Sequence, residues 1–368
     1  MSGSVATNSG RRSGSIGTAA SGPTVSASNP AIDTNPSGGV GTQWANSSTG
    51  DFYVCTDATA GENVWTNVDA AQDSIQPWAY QGANFGYAAG GGAPSVDVID
   101  KYSYSSDQNA TDVGNLLAAV SGVSPVGCSS DTYGYTMGRW PTDVIQKSQF
   151  SSDGNSTDVG NLTGNRGDPI GTNSATYGYA SGGYAGAAPG TDIVDKFALS
   201  STADASDIGN LTQTRTQAGS ASDPSGGYGY CSGGGAGNGA RHNIIDRNAF
   251  SSDGDSSDVG VMTAASYRKG GSSSTTHGYT TGGHNGSAYI NAIEKYAFGS
   301  SANSTDVGDI SGSYGSVSGT TQTSYGYWAG GGPTHLNNIE KYAYASDGNS
   351  TDVGDLTRSH RDLCGFHY

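Results

Sequence analysis

The sequence predicts an all-β chain: a six-bladed β-propeller closed by its C-terminal strand, preceded by a small β module and an extended N-terminal arm. Three observations lead there. An aromatic-Gly-Tyr head recurs six times, at residues 85, 133, 177, 228, 277 and 325, with gaps of 48, 44, 51, 49 and 48 residues. A period near fifty with strand-like content marks a propeller or a solenoid. The 368 residues hold 60 glycines and 22 tyrosines with only 33% hydrophobic residues, a composition suited to short Tyr/Ile/Val strands joined by tight turns. Finally, the chain ends partway through a repeat, so its two ends complete one another.

Residues 1–41 are mostly Ser, Gly, Ala, Thr and Asn with few apolar side chains; such a segment cannot bury enough surface to offset its ordering entropy and is expected either as a disordered tail or as an extended arm that orders against a partner. Residues 42–75 are expected as a separate β module. Trp44, a Ser-Ser-Thr-Gly-Asp turn, Phe52-Tyr53-Val54-Cys55, an Ala-Gly-Glu-Asn turn and Val64-Trp65 read as three strands around two turns. Two tryptophans in so small a unit suggest either a miniature core or a docking surface. The pattern G-T-x-W-x-N…T-G-x-x-Y-x-C-x-D-A-T…V-W-x-N resembles a motif near the start of virion proteins of tailed bacteriophages. The resemblance implies that residues 1–75 anchor the chain to other virion proteins, with Trp44, Tyr53 and Trp65 as anchoring residues.

Residues 76–368 carry the repeats. Each has a short first strand centred on a glycine (Gly127, Gly171, Gly219, Gly271, Gly319) and a Tyr-Gly-Tyr second strand running into a glycine pair such as Gly182-Gly183. A third strand of the type Val98-Ile99-Asp100-Lys101-Tyr102, a Ser-Ser-Asp-Gly-Asn hairpin and an Asp-Val-Gly fourth strand follow. The order resembles the kelch repeat, whose fold is the β-propeller. Two departures stand out: the fourth-strand tryptophan of kelch repeats is absent, and the second repeat has Gly138-Arg139 in place of the glycine pair. After the last Asp-Val-Gly glycine, Gly354, the chain offers Gly365 and stops at Tyr368. These last residues read as a first strand without a second, while the repeat headed by Phe85 lacks a first strand. Pairing the two closes the ring and removes exposed edges.

Composition limits the chemistry. A net charge of −16, from 32 acids against 16 bases, opposes binding to nucleic acid and adsorption to anionic lipid. Cys55, Cys128, Cys231 and Cys364 are far apart with no CxxC, which supports neither a zinc site nor a disulfide framework and fits assembly in a reducing cytoplasm. No apolar run reaches the ~18–20 residues that span a bilayer, and the N-terminus lacks the apolar segment of a secretory signal. No Ser-His-Asp or Cys-His set can be assembled, and the Asp-Gly-Asn hairpins lack the closing glutamate of a calcium loop; neither a catalytic centre nor a cofactor is expected.

The side chains that do not repeat are the candidates for function. The recurring acid–base step of the third strand (Asp100-Lys101, Asp195-Lys196, Asp246-Arg247, Glu294-Lys295, Glu340-Lys341; Gln146-Lys147 in the second repeat) reads as structural. Eight other bases (Arg139, Arg166, Arg215, Arg241, Arg268, Lys269, Arg358, Arg361) fall in loops that a four-stranded meander places on one face. Trp140, Tyr184, Arg241, His242, His284, Tyr289 and His335, from second-to-third loops, and Arg361, from a fourth-to-first connection, are the expected ligand-binding residues, since varied loops on a rigid scaffold are where binding usually lives. Arginines such as Arg166, Arg215 and Arg358 have the alternative of bonding neighbouring carbonyls.

The two resemblances together imply a non-enzymatic virion protein of tailed, including marine, bacteriophages, of the tail-fibre or host-recognition type. It would assemble in the host cytoplasm, with the propeller displayed toward a cell-surface glycan or protein. A capsid decoration or tail connector protein contacting other virion proteins, and a propeller enzyme acting on polysaccharide, are the alternatives. Further copies of this chain are an additional class of partner.

Overall fold

Tyr, Ile and Val alternate with small residues in every copy of the repeat, and in the computed structural model each copy is built into a four-stranded antiparallel sheet. The structure describes residues 22–68, 81–92, 94–119, 126–223, 226–237, 239–298 and 303–368. The chain divides into two units, Met1–Trp78 and Ala79–Tyr368. Both are all-β, and no helix occurs among the described residues.

In the first unit Gln43–Asn46, Phe52–Asp57 and Val64–Asn67 form the expected antiparallel meander. A fourth strand, Thr24–Ser26, pairs in parallel with Gln43–Asn46. It lies within the stretch expected as an arm; backbone pairing orders it although two of its three side chains are polar. Residues 1–21, the first half of that stretch, lie outside the described residues, as do residues 69–80. Tyr53, Cys55 and Trp65 are fully buried and form the core of this small sheet, with Trp44 packed against them. The two tryptophan rings meet edge to face at 5.9 Å, and Trp44 Nε1 donates to Ser28 O at 2.9 Å.

The second unit has a propeller-like architecture of six four-stranded sheets. Sheet one joins Cys364–His367 to Phe85–Ala89, Val98–Ser103 and Thr111–Asn115, so the C-terminal residues pair antiparallel with the first head (Phe366↔Tyr87). Sheets two to six run in sequence order from inner strands Val126–Ser129, Ile170–Asn173, Gly219–Asp223, Gly270–Ser273 and Ser318–Thr321. The inner strands approach to backbone contact. A Cβ on Gly127 would overlap the carbonyl of Gly365, and the same holds for Gly171 against Gly127, Gly271 against Ser220, Gly319 against Gly271 and Gly365 against Gly319. In sheet four the residue at this level is Ser220, facing Cys231, and not Gly219. Ser220 lies 11 residues after Gly209, the interval that also separates Gly260 from Gly271 and Gly308 from Gly319.

The acid–base step of the third strand holds neighbouring sheets on both sides. The acid accepts a backbone N–H from the end of the preceding sheet: Thr163 to Asp195 at 2.8 Å, Thr212 to Asp246 at 2.9 Å, Thr263 to Glu294 at 2.8 Å and Thr357 to Asp100 at 2.9 Å. Gln146 serves Leu117 in the same way at 2.8 Å. The base reaches forward to the next sheet's hairpin: Lys101 to Asp153 at 2.9 Å, Lys196 to Asp253 at 2.7 Å, Lys295 to Asp347 at 3.1 Å and Lys341 to Asp107 at 2.6 Å. The hairpins return the contact. Asn155 accepts the N–H of Asn115 at 3.0 Å and Asn109 that of Asp355 at 3.1 Å, with equivalent bonds at the other sheets. These polar side chains are therefore occupied between sheets, and among the described residues no group of three or more His, Cys, Asp or Glu is gathered as metal ligands. The four cysteines are buried thiols.

Aromatic and aliphatic side chains fill each gap between sheets. Between sheets one and two lie Tyr87, Phe150 and Phe366, with the Tyr87 and Phe366 rings stacked at 5.1 Å. Between sheets six and one lie Tyr102, Tyr104, Tyr327 and Leu363. Replacing Phe366 by Ala removes a buried ring shared by the two chain ends and should cost about 3–5 kcal/mol. Denaturant unfolding checks this, and a loss under ~1 kcal/mol would mean that the C-terminal strand contributes little. Two buried ion pairs, Arg166–Asp195 and Arg215–Asp246, the latter at 2.6 Å, sit beside the clamps. Asp246→Ala should cost about 3–5 kcal/mol by stranding the Arg215 charge, whereas apolar replacement of both partners should recover most of that loss; melts of the single and double variants test it.

Candidate ligand-binding face

The loops between second and third strands and the connections from fourth to first strands leave the sheets at one end. The glycine pair sets their geometry. Gly182 and Gly183 have φ of 61° and 115°, and Gly330 and Gly331 of 66° and 121°. In sheet two Arg139 stands at the second position with φ 148°, a region that disfavours side chains. It is held there by its N–H bond to Arg166 O at 2.7 Å and by Nη1 bonding to Ala119 O at 3.0 Å.

Three of the eight non-repeating bases are consumed inside the fold. Arg166 and Arg215 are fully buried, bonding Asp195 and Asp246 and the carbonyls of Ile193 and Ile244. Lys269 meets Glu294 at 2.8 Å. Arg358 is exposed. The face is thus less basic than the bare sequence implies.

The eight expected ligand-binding residues do not form one site. Trp140 and Tyr184 meet edge to face at 5.4 Å, with Trp140 lying over Gly186. Arg241, His284 and Tyr289 join a second group at sheets four and five. His284 packs on Tyr289 at 4.8 Å and on Tyr267 at 5.5 Å; Arg241 lies over the Tyr267 ring at 5.5 Å. His242 is half-buried beneath, close to Arg215, and its Nε2 has no partner. His335 belongs to a third place, facing His360. Arg361 Nε lies 3.3 Å from Asp362. Of the expected anchor residues, Tyr53 and Trp65 are the core of their own sheet, so only Trp44 offers surface there.

Tyr267 and Arg268 were not among the expected ligand-binding residues, yet they tie the second group together. Arg268 Nη1 donates to Tyr289 Oη at 2.9 Å, and its guanidinium lies 5.4 Å from the Tyr267 ring centre. Their signal in the sequence is Tyr267-Arg268-Lys269, an aromatic and two bases in a row in a connection that elsewhere carries at most one base in a row. Nearer the axis, Asp168, Gln217, Arg268, Ser316 and Asp362 occupy equivalent positions with left-handed φ of 51°, 55°, 63°, 57° and 59°. Their backbones bond in series: Gln217 to Asp168, Arg268 to Gln217, Ser316 to Arg268 and Asp362 to Ser316, at 2.8–3.1 Å. They surround a small cavity of about 90 Å³ walled by the inner-strand glycines.

Burial holds the His242, His284 and His360 rings below the ordinary histidine range, assisted by Arg215, by Arg268 and Arg241, and by Arg358 and His335 respectively. His360 is 3% exposed and neither ring nitrogen has a partner. A folded-state pKa below the unfolded value of ~6.5 means that the unfolded chain binds the proton first. Stability from these groups is therefore complete above about pH 7 and is lost as pH falls below ~6.5. Burial raises Asp100 instead, an opposite effect confined to the carboxylate range near pH 4. The melting temperature should decline between about pH 7 and 5, and His360→Gln should flatten that decline. Parallel curves for the two proteins would assign the decline to other groups.

No protein-family model matches the chain, and no curated protein is significantly similar to it. No helix of the described residues is long and apolar enough to cross a membrane.

Proposed function

We propose that the chain is a non-enzymatic structural protein of a tailed-phage virion, of the tail-fibre or host-recognition type. In this reading the second unit is a six-bladed kelch-like propeller closed by Cys364–His367. The first unit holds it on the particle, and the varied face meets a cell-surface glycan or protein. One observation carries the reading. The repeated polar side chains are spent between sheets, whereas the loops of one end present side chains that differ from sheet to sheet, Trp140 and Tyr184 at one place and Arg241, His284 and Tyr289 at another. A rigid scaffold with one varied end is the arrangement of a recognition protein.

The test is made on assembled particles. Removing residues 1–75 should yield particles without the protein, and replacing Trp140 and Tyr184 by Ala should lower adsorption to host cells about tenfold while the protein still incorporates. Incorporation without residues 1–75 would remove the anchoring role, and full adsorption by the double variant would remove that pair from recognition.

A further inference from the structure

Arg241 comes from a loop of sheet four, and Arg268 from the connection into sheet five, yet both guanidiniums address the ring of Tyr267, at 5.5 and 5.4 Å. Neither forms an ion pair among the described residues, although acids outnumber bases two to one in this chain. Like charges brought together without a counter-ion oppose folding, and they leave a local positive field for an anion. Their donors are largely unused. Arg241 spends one N–H on Gly239 O at 3.0 Å. Arg268 spends one on Tyr289 Oη, and its buried Nε has no acceptor among the described residues.

The arrangement is built into the backbone. A Cβ on Gly286 would overlap the Arg241 guanidinium, so the arginine rests directly against sheet five. The N–H of Gly286 donates to His284 Nδ1 at 2.9 Å, which places the proton of the neutral ring on Nε2 and makes that nitrogen a donor. Beside these residues lies a cleft of about 220 Å³ lined by Thr216, Gln217, Arg241, Tyr267 and the backbone of Gly235 and Gly239. That is the space of about seven waters at ~30 Å³ each, enough for one sugar ring.

We propose that this cleft, walled by Arg241 and by Tyr267, whose ring Arg268 also addresses, binds the carboxylate of an acidic sugar, a uronic-acid unit of a surface polysaccharide. This deepens the receptor-binding reading and rests on it. A guanidinium matches a carboxylate with two parallel N–H bonds; Thr216 Oγ1 donates to Gly235 O at 3.2 Å and Gln217 Nε2 to Asp168 at 2.9 Å, which leaves the side-chain oxygens of both to accept from ring hydroxyls. The cleft accepts one residue of a chain, which disfavours an acidic peptide lying along a groove.

The experiment is calorimetric titration of the full chain with an oligoglucuronate, set against a neutral glucose oligomer, inorganic phosphate and oligoglutamate. The oligoglucuronate should bind at least about tenfold more tightly than the other three, a difference of about 1.4 kcal/mol, and added salt should weaken it. Arg241→Ala should remove most of this affinity at an unchanged melting temperature, and Arg241→Lys should restore only part of it. No binding of oligoglucuronate, equal binding of the neutral oligomer, or an unaffected Arg241→Ala variant overturns the site. Phosphate or oligoglutamate binding as tightly overturns the sugar. Particles carrying Arg241→Ala separate the two readings. Unchanged adsorption despite lost oligoglucuronate binding removes the receptor role and leaves the site. Adsorption that depends on the varied face without any oligoglucuronate binding does the reverse.

Discussion

The constraint on which the second unit depends is the backbone-to-backbone approach of its inner strands. Gly127, Gly171, Ser220, Gly271, Gly319 and Gly365 stand at one level, and the five glycines leave no room for a Cβ against the neighbouring strand. A larger side chain at that level would push two sheets apart. A second circuit lies two residues further along, where Asn173 N bonds Ser222 Oγ at 3.1 Å, Ser222 N bonds Ser273 Oγ at 3.0 Å and His367 N bonds Ser129 Oγ at 2.9 Å. Polar side chains there satisfy edge N–H groups that pairing within one sheet leaves open.

Strands that meet at the centre must diverge outward, and the rest of the repeat fills the widening gap. The second tyrosine of each head is almost fully buried in that gap. Further out, aromatic area gives way to the acid of the third strand, which reaches backward, and to the base, which reaches forward. An exposed ion pair of the Lys101–Asp153 kind contributes little by itself. The buried carboxylates bonded to threonine N–H groups and, in sheets three and four, to arginine cost much more to disrupt. Repetition in this chain thus marks residues engaged with the next sheet, which is why the most conspicuous letters of the sequence are weak candidates for recognition.

Strand order, the pairing of the C-terminal residues with the strand headed by Phe85 and the structural use of the acid–base step were legible because the repeat fixes where each strand and side chain must fall. Three things were not. Gly219 was read as the inner-strand centre because a glycine stands there, whereas Ser220 holds the position; the 11-residue interval was the better guide. The loop bases could be sorted only in part: Arg166 and Arg215 had the alternative of bonding neighbouring carbonyls, which they do, but their pairing with Asp195 and Asp246 and the burial of Lys269 on Glu294 were not foreseen. Only the distance of each from the third-strand carboxylate decides burial. The meeting of Arg241 with Arg268 joins residues 27 positions apart in different sheets, and no local pattern announces it.

The same slot explains why a cation is left over at sheet five. The carbonyls of Arg166, Arg215, Ser266, Tyr314 and His360 accept the N–H of the second residue of the glycine-pair position in turn, which makes these five residues structurally equivalent. Where the slot holds arginine, its guanidinium is buried on the following acid and nothing basic remains at the surface from that position. Sheets five, six and one depart from this, with Ser266, Tyr314 and His360 at the position, and only sheet five replaces the arginine by another cation. Ser266 is too short to reach Glu294, and Lys269, three residues on, takes the partner's place at 2.8 Å. The acid is neutralised from within the inner-strand side, and Arg268, beside Lys269 but with a left-handed φ of 63°, is directed to Tyr289 and Tyr267 instead. Loss of one arginine from a structural slot thereby frees the next for the surface, and it does so at the sheet where Arg241 arrives from the neighbouring loop. The exchange at sheet five bears on Arg268 alone; Arg241 reaches the same Tyr267 ring independently, from the loop of sheet four.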